Sequence, residues 1–121
     1  MNRAPKFTGP SSKAFVKFLG LAHAAALESN AHDLNAPDIA MLNTLAQSWL
    51  AGVAPNVLAA MHANNQSSSS ASHRTLKLLR KKGYITLAVD DLDNRVKAVL
   101  PTALAMQYFD MMGKCMAKAQ G

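Results

Sequence analysis

Residues 67–102 read SSSSASHRTLKLLRKKG (67–83), YITLAV (84–89), DDLDNRVK (90–97) and AVLPT (98–102). A polar start leads into a basic segment that stops at a glycine. An alternating run rich in β-formers follows, then a charged turn and a second apolar run. This order predicts a helix that ends at Gly83 and continues directly into a β-hairpin.

The basic segment has the start, the apolar stripe and the stop of a helix. Ser68 is expected to be the N-cap, because its hydroxyl can accept a bond from a free backbone N–H of the first turn. Ser72, Leu76 and Leu79 follow helical spacing and predict one stripe facing a core, with Thr75 beside it. The polar and basic side chains that point mostly away from this stripe are His73, Arg74, Lys77, Arg80 and Lys81.

The segment after Gly83 predicts two strands joined by a tight turn. Tyr84–Val89 is rich in residues that favour strands. Asp90–Asn94 has turn composition, and Val96, Val99 and Leu100 supply a return strand. Taken alone, a serine run favours a flexible linker and a basic face favours simple solvation. The succession of capped helix, glycine and hairpin instead favours a winged helix.

The segment also resembles the DNA-binding lobe of MarR-type winged helix-turn-helix regulators, over about residues 35–105. The usual pattern in that family is a helix ending in Lys-Gly-Leu/Tyr-Ile, then a wing of the form Asp-x-x-Asp-x-Arg-x-x-x-Val-x-x-Thr. Residues 82–85 match the first part. The fixed wing positions are filled by Asp90, Asp93, Arg95, Val99 and Thr102.

The resemblance assigns expected roles to individual residues. It implies that Arg95 enters a minor groove with Asp93 orienting it, while Asn94 stands where many members carry a second basic residue. Arg74 matches a basic residue common midway along the recognition helix. Small residues at the helix start permit close approach to DNA, and hydroxyls can reach phosphates or base edges. The expected DNA-binding set is Ser68, Ser69, Ser70, His73, Arg74, Thr75, Lys77, Asn94, Arg95 and Lys97. Thr75 and Lys77 are assigned to phosphates.

The segments before the recognition helix predict an arm and three helices. Residues 1–10 contain prolines and a glycine and predict a flexible arm. Ser11 or Ser12 is expected to cap a helix over residues 11–29, followed by a polar loop over 30–36. Asn35 and Asp38 predict a capping box at the start of a second helix that Gly52 ends. Pro55 is expected to start a short third helix through about Ala63.

The last helix is expected over residues 102–119, with Thr102 as its cap. It is apolar on more than one face, which exceeds the single stripe that a terminal helix of a small domain needs. This additional apolar surface indicates that the helix packs against a second copy of the chain. A ligand cavity is the alternative, because methionine adapts to irregular shapes. The resemblance also implies dimerisation through terminal helices and a pocket for a small-molecule effector beside them.

Composition restricts the class of protein. A chain of 121 residues predicts a single domain, here with a DNA-binding core over about residues 35–100. Net charge is +6, and seven of the 13 Lys and Arg residues are Arg74, Lys77, Arg80, Lys81, Lys82, Arg95 and Lys97. Such clustering favours a polyanionic partner. A membrane-surface helix is disfavoured, since the stripe of Leu76 and Leu79 is narrow. No apolar run approaches the roughly 20 residues that span a bilayer.

Several chemistries are not indicated. The histidines, His23, His32, His62 and His73, show no ligand spacing, so no metal site is expected. Motifs for phosphate loops, serine hydrolases or dinucleotide binding are absent from the sequence, so neither an enzyme nor a cofactor is expected. The single cysteine, Cys115, excludes an internal disulfide and is typical of a reducing cytoplasm.

The expected fold class is mainly α with a small β-hairpin wing: a winged helix-turn-helix with extra N- and C-terminal helices. The expected function is a homodimeric, sequence-specific regulator of transcription that binds double-stranded DNA. The recognition helix would lie in the major groove and the wing in the minor groove. The alternative is a winged helix used in plasmid or phage replication or partition, or in protein–protein interaction.

Overall fold

A computed structural model of the chain describes residues 3–63, 68–89, 92 and 97–121. These residues form five α-helices, one 3-10 helix and two strands. In chain order the elements are α1 (Pro10–Leu27), the 3-10 helix (Asn30–Asp33), α2 (Ala36–Leu50), α3 (Val57–Ala63), α4 (Ser69–Lys81), β1 (Ile85–Val89), β2 (Lys97–Pro101) and α5 (Ala103–Gln120). They divide into a core unit, Leu34–Gln107, and a terminal unit, Met1–Asp33 with Tyr108–Gly121.

Helix α2 begins and ends as its sequence predicts. The Asn35 side chain accepts from the Asp38 N–H and the Asp38 carboxylate accepts from the Asn35 N–H, each at 3.1 Å, which completes the capping box. At the other end Gly52 has φ of 83°. Its N–H and that of Val53 donate back to the carbonyls of Trp49 and Ser48, which closes the helix.

Helix α3 starts after Asn56 rather than at the expected Pro55. The Asn56 side chain accepts from the Ala59 N–H at 2.8 Å and therefore caps the helix. Pro55 and Asn56 are instead used in the sheet: the Pro55 carbonyl accepts from the Val99 N–H at 2.8 Å, and Asn56 forms a bridge with Ala98. The entry to α3 is thereby attached to β2.

Helix α4 follows the predicted boundaries. Ser68 is its N-cap, with the hydroxyl accepting from the Ala71 N–H. Ser72, Leu76 and Leu79 are buried, as the stripe predicts. Gly83 has φ of 91°, and the N–H groups of Gly83 and Tyr84 donate to the carbonyls of Arg80 and Leu79. This pair of bonds is a complete Schellman turn, and it needs the left-handed conformation that glycine adopts without strain.

The two strands form an antiparallel ribbon in which Ile85 pairs with Pro101 and Val89 with Lys97. Tyr84, which its composition predicts in the first strand, precedes it, because the Tyr84 N–H belongs to the turn after α4. The expected wing turn lies outside the described residues, apart from Leu92. Trp49 Nε1 donates to the Val99 carbonyl at 2.9 Å, so α2 and β2 are joined directly.

The core unit buries apolar side chains from every one of its elements. Its core residues are Leu34, Met41, Leu42, Leu45, Ala60, Leu76, Leu79, Tyr84, Ile85, Val99 and Ala105. Helices α2 and α4 are packed against each other, and α4 also contacts α3 and β1. The packing leaves the opposite, basic side of α4 facing outward.

The terminal unit leaves much of its apolar surface uncovered. Helix α1 contains no buried residue. The expected cap at Ser11 or Ser12 is wrong: Gly9 is the N-cap, and the Ser12 hydroxyl donates to the Gly9 carbonyl instead of accepting. Pro10 explains the earlier start, because its fixed φ suits the first helical position. Part of the segment expected as a loop is the 3-10 helix.

Within the terminal unit, α5 buries one side only. Tyr108, Cys115 and Ala119 are buried, whereas Met116 is 53% exposed. Tyr108 meets Phe109 edge-on, with ring centroids 5.9 Å apart. Burial raises the pKa of the Tyr108 phenol above its ordinary value.

Replacing Gly83 with alanine should lower the free energy of unfolding by about 1–2 kcal/mol, since alanine must adopt a left-handed conformation. Space is not the obstacle: an added Cβ would lie 3.7 Å from Leu104 Cδ2, an ordinary contact. Urea denaturation followed by circular dichroism measures the effect.

The control is Gly20→Ala in α1, where a Cβ meets nothing within 4 Å. Because glycine is unfavourable inside a helix, this change should raise the free energy of unfolding by about 0.5–1 kcal/mol. Equal effects of the two substitutions would contradict the conformational role of Gly83.

Candidate nucleic-acid interface

The start of α4 presents small polar side chains to solvent. Ser68, Ser69 and Ser70 are all exposed. The Ser68 hydroxyl is already engaged, because it accepts from the Ala71 N–H at 3.2 Å. Ser69 and Ser70 lie in the first turn, where the backbone N–H groups and the positive end of the helix dipole favour an anion. Ser68 therefore has a structural task, and its two neighbours are the better candidates for DNA contacts.

The outward side of α4 carries a continuous set of polar and cationic groups. Ser70, His73, Arg74, Lys77 and Lys81 line one shallow depression of about 520 Å³ together with Leu78. The side chains of His73, Arg74, Lys77, Arg80 and Lys81 are exposed, and we call these five residues the basic face. Thr75 is half-buried beside the apolar stripe, so its hydroxyl is less accessible than the basic face.

The hairpin contributes to the same surface through Lys97. This residue is exposed at the start of β2, where it pairs with Val89. Lys97 lines a cavity of about 750 Å³ with His73, Lys77 and Arg80. The cavity is otherwise lined by Asn56 and apolar side chains of α3, α4 and β1. The base of the wing and the recognition helix are thus neighbours, as a composite DNA-binding surface requires.

Two of the expected DNA contacts, Asn94 and Arg95, lie outside the described residues. Their roles remain predictions from the family resemblance.

Lys82 belongs to the basic cluster by sequence position, but its charge is directed inward. Its Nζ lies 2.6 Å from Asp38 Oδ2, and the Asp38 side chain is only 1% exposed. The pair joins the end of α4 to the start of α2. Nothing in the local sequence indicates it, because the partners are 44 positions apart.

Neither a membrane span nor a metal cluster is found in the described ranges. None of their helices is both long and apolar enough to cross a bilayer. Within the same residues, no group of three or more His, Cys, Asp or Glu side chains is arranged to hold a metal ion.

Comparison with solved structures identifies the fold. The chain resembles the heme sensor protein PefR of Streptococcus agalactiae in complex with heme, with a TM-score of 0.60 and 21% identity over 93% of this chain and 76% of that one. It resembles a mutant of S. aureus MepR bound to an oligodeoxyribonucleotide, with a TM-score of 0.64 and 16% identity over 93% and 79%. A mutant of E. coli MarR matches with a TM-score of 0.55 and 16% identity over 98% and 85%.

No protein-family model and no curated protein matches the sequence. At the identities found, the structural likeness shows the fold: a winged helix-turn-helix of MarR type. The predicted fold class, with five helices and a two-stranded hairpin in the described residues, is confirmed.

Replacing Ser68 with alanine should lower the free energy of unfolding by about 1 kcal/mol, because an N–H of the first turn loses its acceptor. Ser68→Asp keeps an acceptor and adds a charge that suits the helix dipole, so it should restore stability. Ser69→Ala is the matched control and should stay within about 0.5 kcal/mol of the parent. Thermal unfolding of the three variants measures this, and equal losses for Ser68→Ala and Ser69→Ala would contradict the capping role.

Proposed function

We propose that this chain, whose fold is the MarR-type winged helix-turn-helix, is a transcription regulator that binds double-stranded DNA as a homodimer. The observation that carries the proposal is the shared surface of the basic face of α4 and Lys97 of the hairpin. Cations concentrated on one side of a helix–hairpin unit attract phosphates and steer association with a polyanion. We place the protein in the cytoplasm with its DNA.

The arrangement supports a specific mode of docking. In a helix-turn-helix the second helix lies in the major groove, with its N-terminal residues at base edges. Here α3 and α4 are that pair. We assign Ser69, Ser70, His73 and Arg74 to the groove. Thr75 and Lys77 are assigned to phosphates, with Ser68 holding the helix start.

The wing completes the proposed interface. We assign Arg95 to the adjacent minor groove, and Asn94 and Lys97 to further contacts with DNA. The described position of Lys97 beside His73 and Lys77 supports this, because it sets the base of the wing next to the recognition helix. The solved MepR mutant carries an oligodeoxyribonucleotide, which supports DNA as the partner of this fold.

The dimer is proposed from the apolar surface of the terminal unit. Phe15, Val16, Leu19, Leu27 and Met116 are each at least 43% exposed. Apolar groups in such number, four on α1 and one on α5, indicate an interface, and a second copy is the simplest partner for a regulator. Two recognition helices related by a two-fold axis would read half-sites about one helical turn apart. The whole chain is then a single functional domain.

A small-molecule effector is the alternative occupant of this surface. Lys13, Phe15, Phe18 and Met116 help line a cavity of about 730 Å³ in the terminal unit, and PefR is described as a heme sensor. The second copy is favoured, because Val16, Leu19 and Leu27 are exposed and do not line the cavity.

A winged helix for replication, partition or protein binding is the alternative function. Protein binding would not need the concentrated charge of α4.

Arg74→Ala should weaken binding to a preferred DNA sequence by about 1–3 kcal/mol if Arg74 makes a bidentate base contact. The preferred sequence is obtained by selection from a random duplex pool, and affinity is measured by fluorescence anisotropy. Lys114→Ala is the control, since Lys114 lies on α5 and pairs with Asp110. If Arg74→Ala binds the preferred sequence as tightly as the parent, Arg74 is excluded from the residues that contact base edges.

The salt dependence of DNA binding should be steep. If the dimer neutralises about eight phosphates, a fourfold rise in salt should reduce affinity roughly ten-thousand-fold. Lys77→Met should reduce the slope of log affinity against log salt by about one for each phosphate that no longer meets a lysine. The absence of binding to random duplex at micromolar protein and low salt would exclude the proposed function.

Replacing Phe15 and Leu19 together with serine should convert the dimer to a monomer, because both apolar side chains are exposed in the single chain, by 60% and 48%. Sedimentation equilibrium should show twice the 12.9 kDa chain mass for the parent and once that mass for the variant. Leu58→Ser is the control: Leu58 is 64% exposed but belongs to the core unit. Dissociation by Leu58→Ser, or a dimeric double variant, would contradict a dimer through the terminal unit.

A further inference from the structure

The end of the recognition helix is tied to a buried carboxylate at the start of α2. Lys82 is the C-cap residue of α4, and its Nζ lies 2.6 Å from Asp38 Oδ2. The side chains of Lys82 and Asp38 are 20% and 1% exposed. A charge pair so shielded from water is much less screened than the exposed cations of the basic face.

Asp38 is itself held rigidly. Its Oδ2 accepts from the Asn35 N–H, and its own N–H donates to Asn35 Oδ1. The second oxygen, Oδ1, is buried without a hydrogen-bond partner in the described part of the chain. The Lys82 ammonium on Oδ2 compensates the charge of the carboxylate, and the capping box fixes the position of that carboxylate.

A second polar contact holds the next residue of the chain. Thr102 Oγ1 donates to the Gly83 carbonyl at 2.5 Å, and the Thr102 N–H donates to the Tyr84 carbonyl at 3.2 Å. Thr102 also caps α5, with Oγ1 accepting from the Ala105 N–H. The starts of α2 and α5 thus hold adjacent residues at the end of α4. The cap bonds at the start of α4 are local, within residues 68–72.

We propose that Asp38 and Lys82 are positioning residues, which orient the recognition helix for base reading without contacting DNA. The inference rests on the proposed function. Helix α4 has 13 residues, so it is about 20 Å long, and a rotation of about 5° at its end moves its start by about 1.7 Å. Base-edge hydrogen bonds tolerate less displacement than that. Phosphate attraction tolerates more, since it depends weakly on geometry.

Two simpler roles give different results. If Lys82 contacts phosphate, its loss lowers the salt slope and affects all DNA sequences equally. If the pair only stabilises the fold, its loss lowers the melting temperature and leaves the ratio of affinities for selected and random DNA unchanged. If the pair orients the helix, its loss lowers the ratio of affinities for selected and random DNA and leaves the salt slope unchanged.

The test compares Asp38→Asn, Lys82→Met and the double variant with the parent, using full-length protein. Asparagine keeps an acceptor for the capping box, and methionine keeps the apolar stem of lysine. Affinities for the selected duplex and for random duplex are measured across salt concentrations, well below each melting temperature. Each single variant should bind the selected duplex about tenfold more weakly, the size of one bidentate base interaction. Random duplex should be bound as by the parent.

Asp38→Asn is the decisive variant because the sign of its effect is diagnostic. It removes a negative charge, so electrostatics alone would make DNA binding equal or tighter, whereas loss of orientation makes it weaker. The double variant should weaken binding by less than the sum of the two single effects, since the two residues share a contact. Lys82→Arg keeps the cation and should therefore keep most of the parent's ratio of affinities for selected and random duplex. Lys81→Met, at the exposed neighbouring position, should lower the salt slope and leave the ratio unchanged.

The inference is overturned if Asp38→Asn binds the selected duplex as tightly as the parent, or if Lys82→Met lowers the salt slope as Lys81→Met does. Should Asp38→Asn fail to fold, the two Lys82 variants provide the test. Lys82→Met should lower the ratio of affinities for selected and random duplex, and Lys82→Arg should not. A parent protein that binds neither duplex contradicts the proposed function instead, which is a different result from any of these.

Discussion

The turn at Gly83 is the constraint on which the arrangement of helix and hairpin depends. Its φ of 91° lets two successive N–H groups return to the last turn of α4. The chain therefore leaves the helix with Tyr84 buried and enters β1 at once. Thr102 completes the corner by donating to the Gly83 carbonyl. The last residue of the wing motif thus serves the recognition helix and the start of α5 together, which explains a threonine at that position.

Neighbouring cations at the end of α4 have different tasks. Lys81 is exposed and belongs to the basic face, whereas Lys82 turns inward to Asp38. Net charge does not distinguish them, because each contributes one positive charge to the total. Burial and the identity of the partner do: a shielded pair fixes geometry, and an exposed cation supplies attraction that salt screens. Recognition needs both, since attraction brings DNA to the surface and geometry selects the sequence.

The features predicted correctly from the sequence are those that nearby residues determine. Ser68 and the pair Asn35–Asp38 act within three residues, and Gly83 acts within the last turn of its helix. The contacts that the sequence does not reveal join distant positions: Lys82 with Asp38, and Trp49 with Val99. The predicted start of α1 is wrong for a local reason, because Pro10 and Gly9 outweigh two serines as the starting signal. Of the candidate DNA contacts, Ser70, His73, Arg74, Lys77 and Lys97 line two depressions that share His73 and Lys77. The roles of all the candidates remain proposals.

Hydrogen–deuterium exchange with and without duplex DNA tests the central claim most directly, because it reports each backbone segment separately. If the helix and the hairpin together form the DNA-binding surface, DNA should slow exchange in the first two turns of α4 and at the start of β2. Protection found only in other segments, with α4 and β2 exchanging at the same rate in both states, would contradict the account.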